Sequence, residues 1–179
     1  VYAEGTPPAL VIKPTEVQQV PSIVKIATSM GFAITQRGGG MSYTGGYLPT
    51  QANTVMLDLS ALNRIISINE DDLVITVKAG VTWRQIWEAL TPRGLRPPFF
   101  GTFSGSRATV GGGLSDGALF MGSARYGSAA TSAPVAGYIS DTTGSYNSVL
   151  RMYGGSCAVA AVGLTIKGSV LASSDTQNR

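Results

Sequence analysis

Apolar positions along this chain keep two different spacings, and the change from one to the other predicts its elements. Leu10-Val11-Ile12 is a short apolar run closed by Lys13-Pro14 and reads as a strand. Val17, Val20, Val24, Ala27 and Met30 then recur at helical spacing. They predict a helix opened by a capping box of Thr15 with Gln18, tolerating Pro21 early, and running to about Met30 with Gly31 just past its end. Phe32-Ala33-Ile34-Thr35-Gln36 supplies a second strand, so the first segment is expected to be a strand–helix–strand unit with a parallel pair. Residues 55–59, 64–68 and 73–77 are three more strand candidates. The polar turn Asn69-Glu70-Asp71-Asp72 joins the last two as an antiparallel hairpin. Gly80 precedes a second capping box, Thr82 with Gln85, which opens a helix through Leu90 and places Trp83, Ile86, Trp87 and Leu90 on one side as core residues.

From Thr91 to Gly127 glycine and proline dominate and helical periodicity is lost, so this stretch is expected to wrap around something without forming a layer of its own. Val135 to Ile139 and Asn147 to Leu150 flank the polar segment Ser140 to Gly144 as a second hairpin. Ala158 to Ile166 reads as a closing apolar strand, and the polar tail Ser169 to Arg179 as a linker. The expectation is a single α+β domain of two lobes, one over about 1–90 and the other over about 91–168, followed by a tail over 169–179.

Composition narrows the chemistry. The chain has 179 residues, 44% of them hydrophobic, enough to bury a full core. Thirteen basic against ten acidic residues give a net charge of +3, and the basic side chains form no run, so neither a nucleic-acid nor an anionic-membrane footprint is present. One cysteine, Cys157, and no histidine exclude an internal disulfide framework and leave no zinc or haem ligand set. Cys157 reads as a buried thiol; the redox compartment stays open, a reducing one being compatible, and a cytoplasmic setting is expected. No apolar stretch has the length of a membrane span, Val1-Tyr2-Ala3-Glu4 does not look like a signal peptide, and the missing initiator Met suggests a start inside a longer protein.

Two glycine clusters carry the candidate chemistry. In Arg37-Gly38-Gly39-Gly40-Met41-Ser42-Tyr43-Thr44-Gly45-Gly46, five glycines in ten positions let the backbone come close to a ligand, and successive N–H groups can form a concave nest for phosphate oxygens. Arg37 adds a positive charge at the rim, or braces the loop by pairing with a carboxylate. The spacing is neither the dinucleotide fingerprint nor the P-loop, because no helix-forming segment follows and no Lys stands in place. A second cluster, Ala108-Thr109-Val110-Gly111-Gly112-Gly113-Leu114-Ser115, lies about seventy residues further on. Two such turns could hold one long ligand.

The order, spacing and flanks of these clusters, followed by Arg125-Tyr126-Gly127, resemble the FAD-binding domain of the vanillyl-alcohol-oxidase and para-cresol-methylhydroxylase flavoproteins over about Pro14 to Lys167. The resemblance implies a PCMH-type fold of mixed sheets flanked by helices. It implies FAD held by Arg37, Gly38, Gly39, Gly40, Met41 and Ser42 on one side, by Thr109, Gly111, Gly112 and Ser115 on the other, and by backbone near Ala160 and Val162. A turn-stabilising role stays open for Thr109 and Ser115. Met41 stands where some family members carry the histidine that bonds covalently to the flavin, so the cofactor is expected to be non-covalent. Arg125 and Tyr126 are expected to play a structural or cofactor-supporting role and not a catalytic one, and Asp116 could cap a turn. No catalytic base is identified. The implied activity is an FAD-dependent oxidoreductase acting on the CH–OH group of an alcohol, hydroxy acid or sugar-like substrate. That substrate would be received by a substrate domain or partner subunit that this chain lacks. A binding-only flavin or nucleotide module, and an FAD enzyme without net oxidation, are the alternatives.

Overall fold

The computed structural model describes residues 5–97, 104–119 and 121–126, together with the backbone of two short strands at 164–166 and 171–172. The first sheet is parallel, with order β1 (Leu10–Ile12), β3 (Thr54–Asp58), β2 (Ala33–Arg37). β3 takes the centre because its Val55, Met56 and Leu57 are all buried, as a strand covered on both faces requires. The strand–helix–strand unit is therefore split: β1 and β2 each pair with β3 and not with one another.

The crossover helix α1 (Gln19–Ser29) has its N-cap at Gln18, three residues later than the Thr15 box predicts. A helix begun at Thr15 would put Pro21 in its interior, where the ring meets the carbonyl of Val17. Starting at Gln19 leaves Pro21 in the first turn, whose N–H groups have no partner anyway. The side chain of Gln19 instead accepts from the N–H groups of Thr15 and Glu16 at 2.9 and 3.1 Å. The helix ends as expected: Phe32 N–H donates to Ala27 and Gly31 N–H to Thr28, with Gly31 left-handed at φ +80°. Val20 and Ala27 are buried beneath α1, Val20 packed with Leu57, Leu59 and Leu62, whereas Met30 is exposed.

The second sheet is antiparallel, β4 (Ile65–Asn69), β5 (Val74–Val77), β7 (Leu164–Ile166). The Asn69–Asp72 turn closes the first hairpin, with Asp72 N–H donating to Asn69 Oδ1 at 3.0 Å. α2 (Trp83–Leu90) opens with the expected capping box, since the Thr82 hydroxyl accepts from Gln85 N–H and Gln85 Oε1 from Thr82 N–H. Trp83, Ile86 and Leu90 pack with Ile75, Val77, Val81 and Val110. Trp87 does not join them: it is 47% exposed, at the edge of the helical stripe.

The stretch expected to lack elements contains β6 (Leu95–Arg96) and two short helices, α3 (Val110–Ser115) and α4 (Ser123–Tyr126). α3 forms in spite of three glycines because Thr109 caps it, accepting from Gly112 N–H at 3.3 Å, and Val110 anchors it in the core. β8 (Leu171–Ala172), within the expected tail, pairs antiparallel with β6. The 135–150 hairpin, Gly127, Cys157, Ala160 and Val162 lie outside the described residues. Among the described residues no helix is long and apolar enough to cross a membrane, and no group of three His, Cys, Asp or Glu could hold a metal ion.

Candidate functional site

Arg37 and Asp58 are register partners at the carboxyl ends of β2 and β3, the edge at which ligands collect in open α/β sheets. From there the first glycine cluster turns against the segment before α3. A Cβ built on Gly38 would overlap the Thr109 hydroxyl, and one on Gly39 would overlap the backbone carbonyl of Arg107. The first cluster, far away in sequence, thus meets this segment closely because Gly38 and Gly39 carry no side chain.

That facing segment is held rigidly. Arg107 and Ala108 N–H both donate to Ser104 O, at 2.7 and 2.8 Å. Trp83 N–H donates to Ala108 O at 3.2 Å, Arg84 N–H to Gly105 O at 3.1 Å, and Thr82 bridges to Thr109. The start of α2 and the second cluster therefore move as one body.

Between the walls lies a cleft of about 480 Å³. Arg37, Gly38 and Gly39 line it from one side and Ser106, Arg107 and Thr109 from the other; Asp58, Ser60, Arg84 and Glu88 are also in the lining. Its carboxylates are engaged within the fold. Asp58 Oδ1 accepts from Ser60 N–H at 3.0 Å, and Glu88 pairs with Arg84 at 2.7 Å.

The backbone groups of the clusters differ. None of the N–H groups of Gly38, Gly39, Gly40, Met41 and Ser42 donates to a described residue, so among the described residues five consecutive donors are open. In the second cluster the donors are engaged: Val110 N–H to Val81 O at 2.8 Å, Gly111 N–H to Ala79 O at 2.9 Å, Gly112 N–H to Thr109 Oγ1, and Gly113 N–H to Thr109 O at 3.0 Å. Gly111 is needed for packing, because a Cβ there would stand 2.8 Å from that of Ala79. The Ser115 hydroxyl donates to Gly111 O at 2.9 Å.

Arg37 Nε is buried and has no hydrogen-bond partner among the described residues, while its guanidinium lies 5.9 Å from the Tyr47 ring centroid. No carboxylate of the described residues pairs with it. A buried donor without an acceptor is costly in free energy and marks a place for an anion.

Of the expected site residues, the structure brings Arg37, Gly38, Gly39 and Thr109 onto the cleft. Gly40, Met41 and Ser42 continue the open loop, and Gly111, Gly112 and Ser115 stand behind Thr109 in α3. Sequence reasoning missed Arg107, Arg84 and Asp58. Arg107 stood two residues before Thr109 in the glycine-rich stretch, the one available signal.

A family model described as an FAD binding domain matches residues 8–133. The mitochondrial D-lactate dehydrogenase [cytochrome] of Kluyveromyces lactis is 33% identical over 122 residues, which are 67% of this chain and 21% of that protein. A glycolate oxidase subunit of Bacillus subtilis is 30% identical over 121 residues, 67% of this chain and 25% of its own length. Among solved structures, alkyldihydroxyacetonephosphate synthase superposes with a TM-score of 0.62 at 21% identity, covering 69% of this chain and 25% of that one. A berberine bridge enzyme variant described as a reticuline dehydrogenase does so with a TM-score of 0.60 at 26% identity, covering 69% and 24%. The chain spans about a fifth to a quarter of the length of these curated relatives.

Proposed function

The chain belongs to the FAD-binding domain family, that of the vanillyl-alcohol-oxidase and para-cresol-methylhydroxylase flavoproteins, and on that premise we propose that it forms the cofactor site of an FAD-linked oxidoreductase acting on a hydroxy acid. The observation that carries this reading is the run of five open N–H donors from Gly38 to Ser42, beside the buried, unpartnered Nε of Arg37. A diphosphate supplies what both lack: several strong acceptors and negative charge in a dry concavity. The residues present therefore fit the group.

Gly38, Gly39, Gly40, Met41 and Ser42 would hold the diphosphate through backbone N–H groups, and Arg37 would neutralise part of its charge. Thr109 would border the same space while capping α3. Gly111, Gly112 and Ser115 would act behind it by setting how closely α3 approaches β5 and the turn at Ala79. Ala160 and Val162 complete the proposed cofactor contacts. Met41 offers no nucleophile for attachment, so retention would be non-covalent. Bound FAD would supply hydride acceptance from the substrate carbon. Hydroxy acids are the proposed substrate class because the relatives at 30–33% identity are named for lactate and glycolate. The substrate would be received by a domain or partner subunit outside this chain.

The test is refolding or purification with FAD. A yellow protein whose colour bleaches under an anaerobic reductant, and whose flavin leaves entirely with the supernatant after acid precipitation, is expected. Protein that never acquires visible absorbance would remove the reading. Bleaching by lactate or glycolate, with the substrate-binding part supplied, tests the substrate class. Flavin that binds but is reduced by no hydroxy acid would leave a binding module.

A further inference from the structure

We infer that Arg107 is the second cation for the diphosphate, contributed by the wall of the cleft opposite the open loop. This rests on the cofactor reading above and extends it to a residue that neither glycine cluster contains.

A diphosphate brings two negative charges, and Arg37 offers only one positive charge from its own side. On the facing wall the N–H groups of Arg107, Ala108, Val110, Gly111, Gly112 and Gly113 are all engaged within the fold, which leaves few backbone donors there. What that wall can offer is side-chain charge. Two arginines line it besides Arg37. Arg84 is already paired with Glu88 at 2.7 Å, so its charge is largely neutralised. No carboxylate of the described residues pairs with Arg107, and its side chain is exposed to the cleft's solvent.

Its origin is also fixed. The Arg107 carbonyl abuts Gly39, and its N–H donates to Ser104 O at 2.7 Å, so the side chain leaves the backbone at the lip of the open loop. A guanidinium there can donate two parallel hydrogen bonds to a phosphate, which a lysine ammonium cannot reproduce in geometry though it can in charge. The main-chain contact with Gly39 is the same whatever side chain stands at 107, so substitution there separates the charge from the wall.

The experiment titrates the 179-residue chain with FAD and, separately, with ADP, which carries the diphosphate without the flavin. The variants are Arg107→Gln, Arg107→Lys and, as a control at an ion-paired arginine outside the cleft lining, Arg93→Gln. Arg107→Gln should weaken both ligands by roughly tenfold, the scale of one charge-assisted hydrogen bond. It should also flatten the dependence of affinity on salt. Arg107→Lys should recover part of the loss for both ligands, and Arg93→Gln should change little. Equal affinity of Arg107→Gln and the unsubstituted chain for ADP overturns the inference, as does a loss confined to FAD, since either places Arg107 away from the diphosphate. Failure of the unsubstituted chain to bind FAD or ADP would instead remove the cofactor reading itself. Thermal unfolding without ligand should be the same for Arg107→Gln and the unsubstituted chain. Should it fall, the Arg107→Lys titration and the salt dependence of the unsubstituted chain decide: an affinity for ADP insensitive to both overturns the inference.

Discussion

The carbonyl of Arg107 occupies the space in which a side chain at Gly39 would begin: a Cβ there would stand 2.6 Å from the carbonyl carbon and 3.2 Å from Ala108 N. The neighbour is backbone, tied to Ser104 and to the start of α2, so it cannot turn aside. Gly39→Ala should therefore destabilise the protein without any ligand, by about 2 kcal/mol or more. Thermal or urea unfolding of the ligand-free variant measures it. An unchanged midpoint would show that the two walls are not in contact.

Gly111 and Gly112 of α3 should separate by what stands beside each. Gly111→Ala forces a methyl group to within 2.8 Å of the Ala79 Cβ and 2.9 Å of its carbonyl oxygen, and should cost about 2 kcal/mol by the same overpacking argument. At Gly112 the only neighbour among the described residues, outside the helix's own backbone, is Thr109 Oγ1 at 3.2 Å, and a helical Gly→Ala replacement gains up to about 1 kcal/mol. Gly112→Ala should stay within about 1 kcal/mol of the unsubstituted chain. A larger loss at Gly112 than at Gly111 would contradict the packing of α3 on Ala79.

These contrasts also show what could be read from the sequence alone. The Thr82 and Gln85 box was legible because both partners lie three residues apart and nothing nearby competes. The same pattern at Thr15 and Gln18 failed because Pro21, six residues on, decides where that helix can start. α3 was invisible to periodicity, since three of its six residues have no side chain and its stability comes from the Thr109 cap and Val110 burial. Trp87 was assigned to the core on spacing, yet eight residues of helix pack only a narrow stripe. The open loop was legible as a glycine cluster. Its meeting with Arg107 was not, because that contact depends on how the start of α2 carries the 104–109 segment across the molecule.

Lys78 and Glu16 form a strap between the end of β5 and the turn before α1, at 3.1 Å. Their environments differ, with 11% of the Lys78 side chain exposed against 62% for Glu16. Removing the exposed partner leaves a largely covered ammonium without its carboxylate, whereas removing the lysine leaves a carboxylate that water can solvate. Glu16→Gln should thus cost more stability than Lys78→Met, by a difference of about 1 kcal/mol after allowing for solvent at Glu16. Urea midpoints of the two single variants and the double variant give the comparison, and the reverse order would place no burial penalty on Lys78.

Arg37 offers the sharpest separation of ligand binding from folding. Its Nε is covered and unpartnered, so in the ligand-free protein it adds a desolvation cost that Tyr47, 5.9 Å away, offsets only in part. Arg37→Met keeps much of the stem and removes the orphaned donor, which should leave ligand-free stability unchanged or raise it by about 1 kcal/mol. Ligand alters the balance. A site that saturates with FAD stabilises the folded state by about 2.7 kcal/mol at a hundredfold excess over Kd. In Arg37→Met that gain should shrink, because the diphosphate loses a charged partner in a dry position. The decisive measurement is the shift in unfolding temperature on adding FAD, compared between the two proteins at equal concentration. A smaller shift in the variant, with the ligand-free midpoint intact, assigns Arg37 to the cofactor. Equal shifts would instead leave its buried nitrogen as a feature of the loop alone.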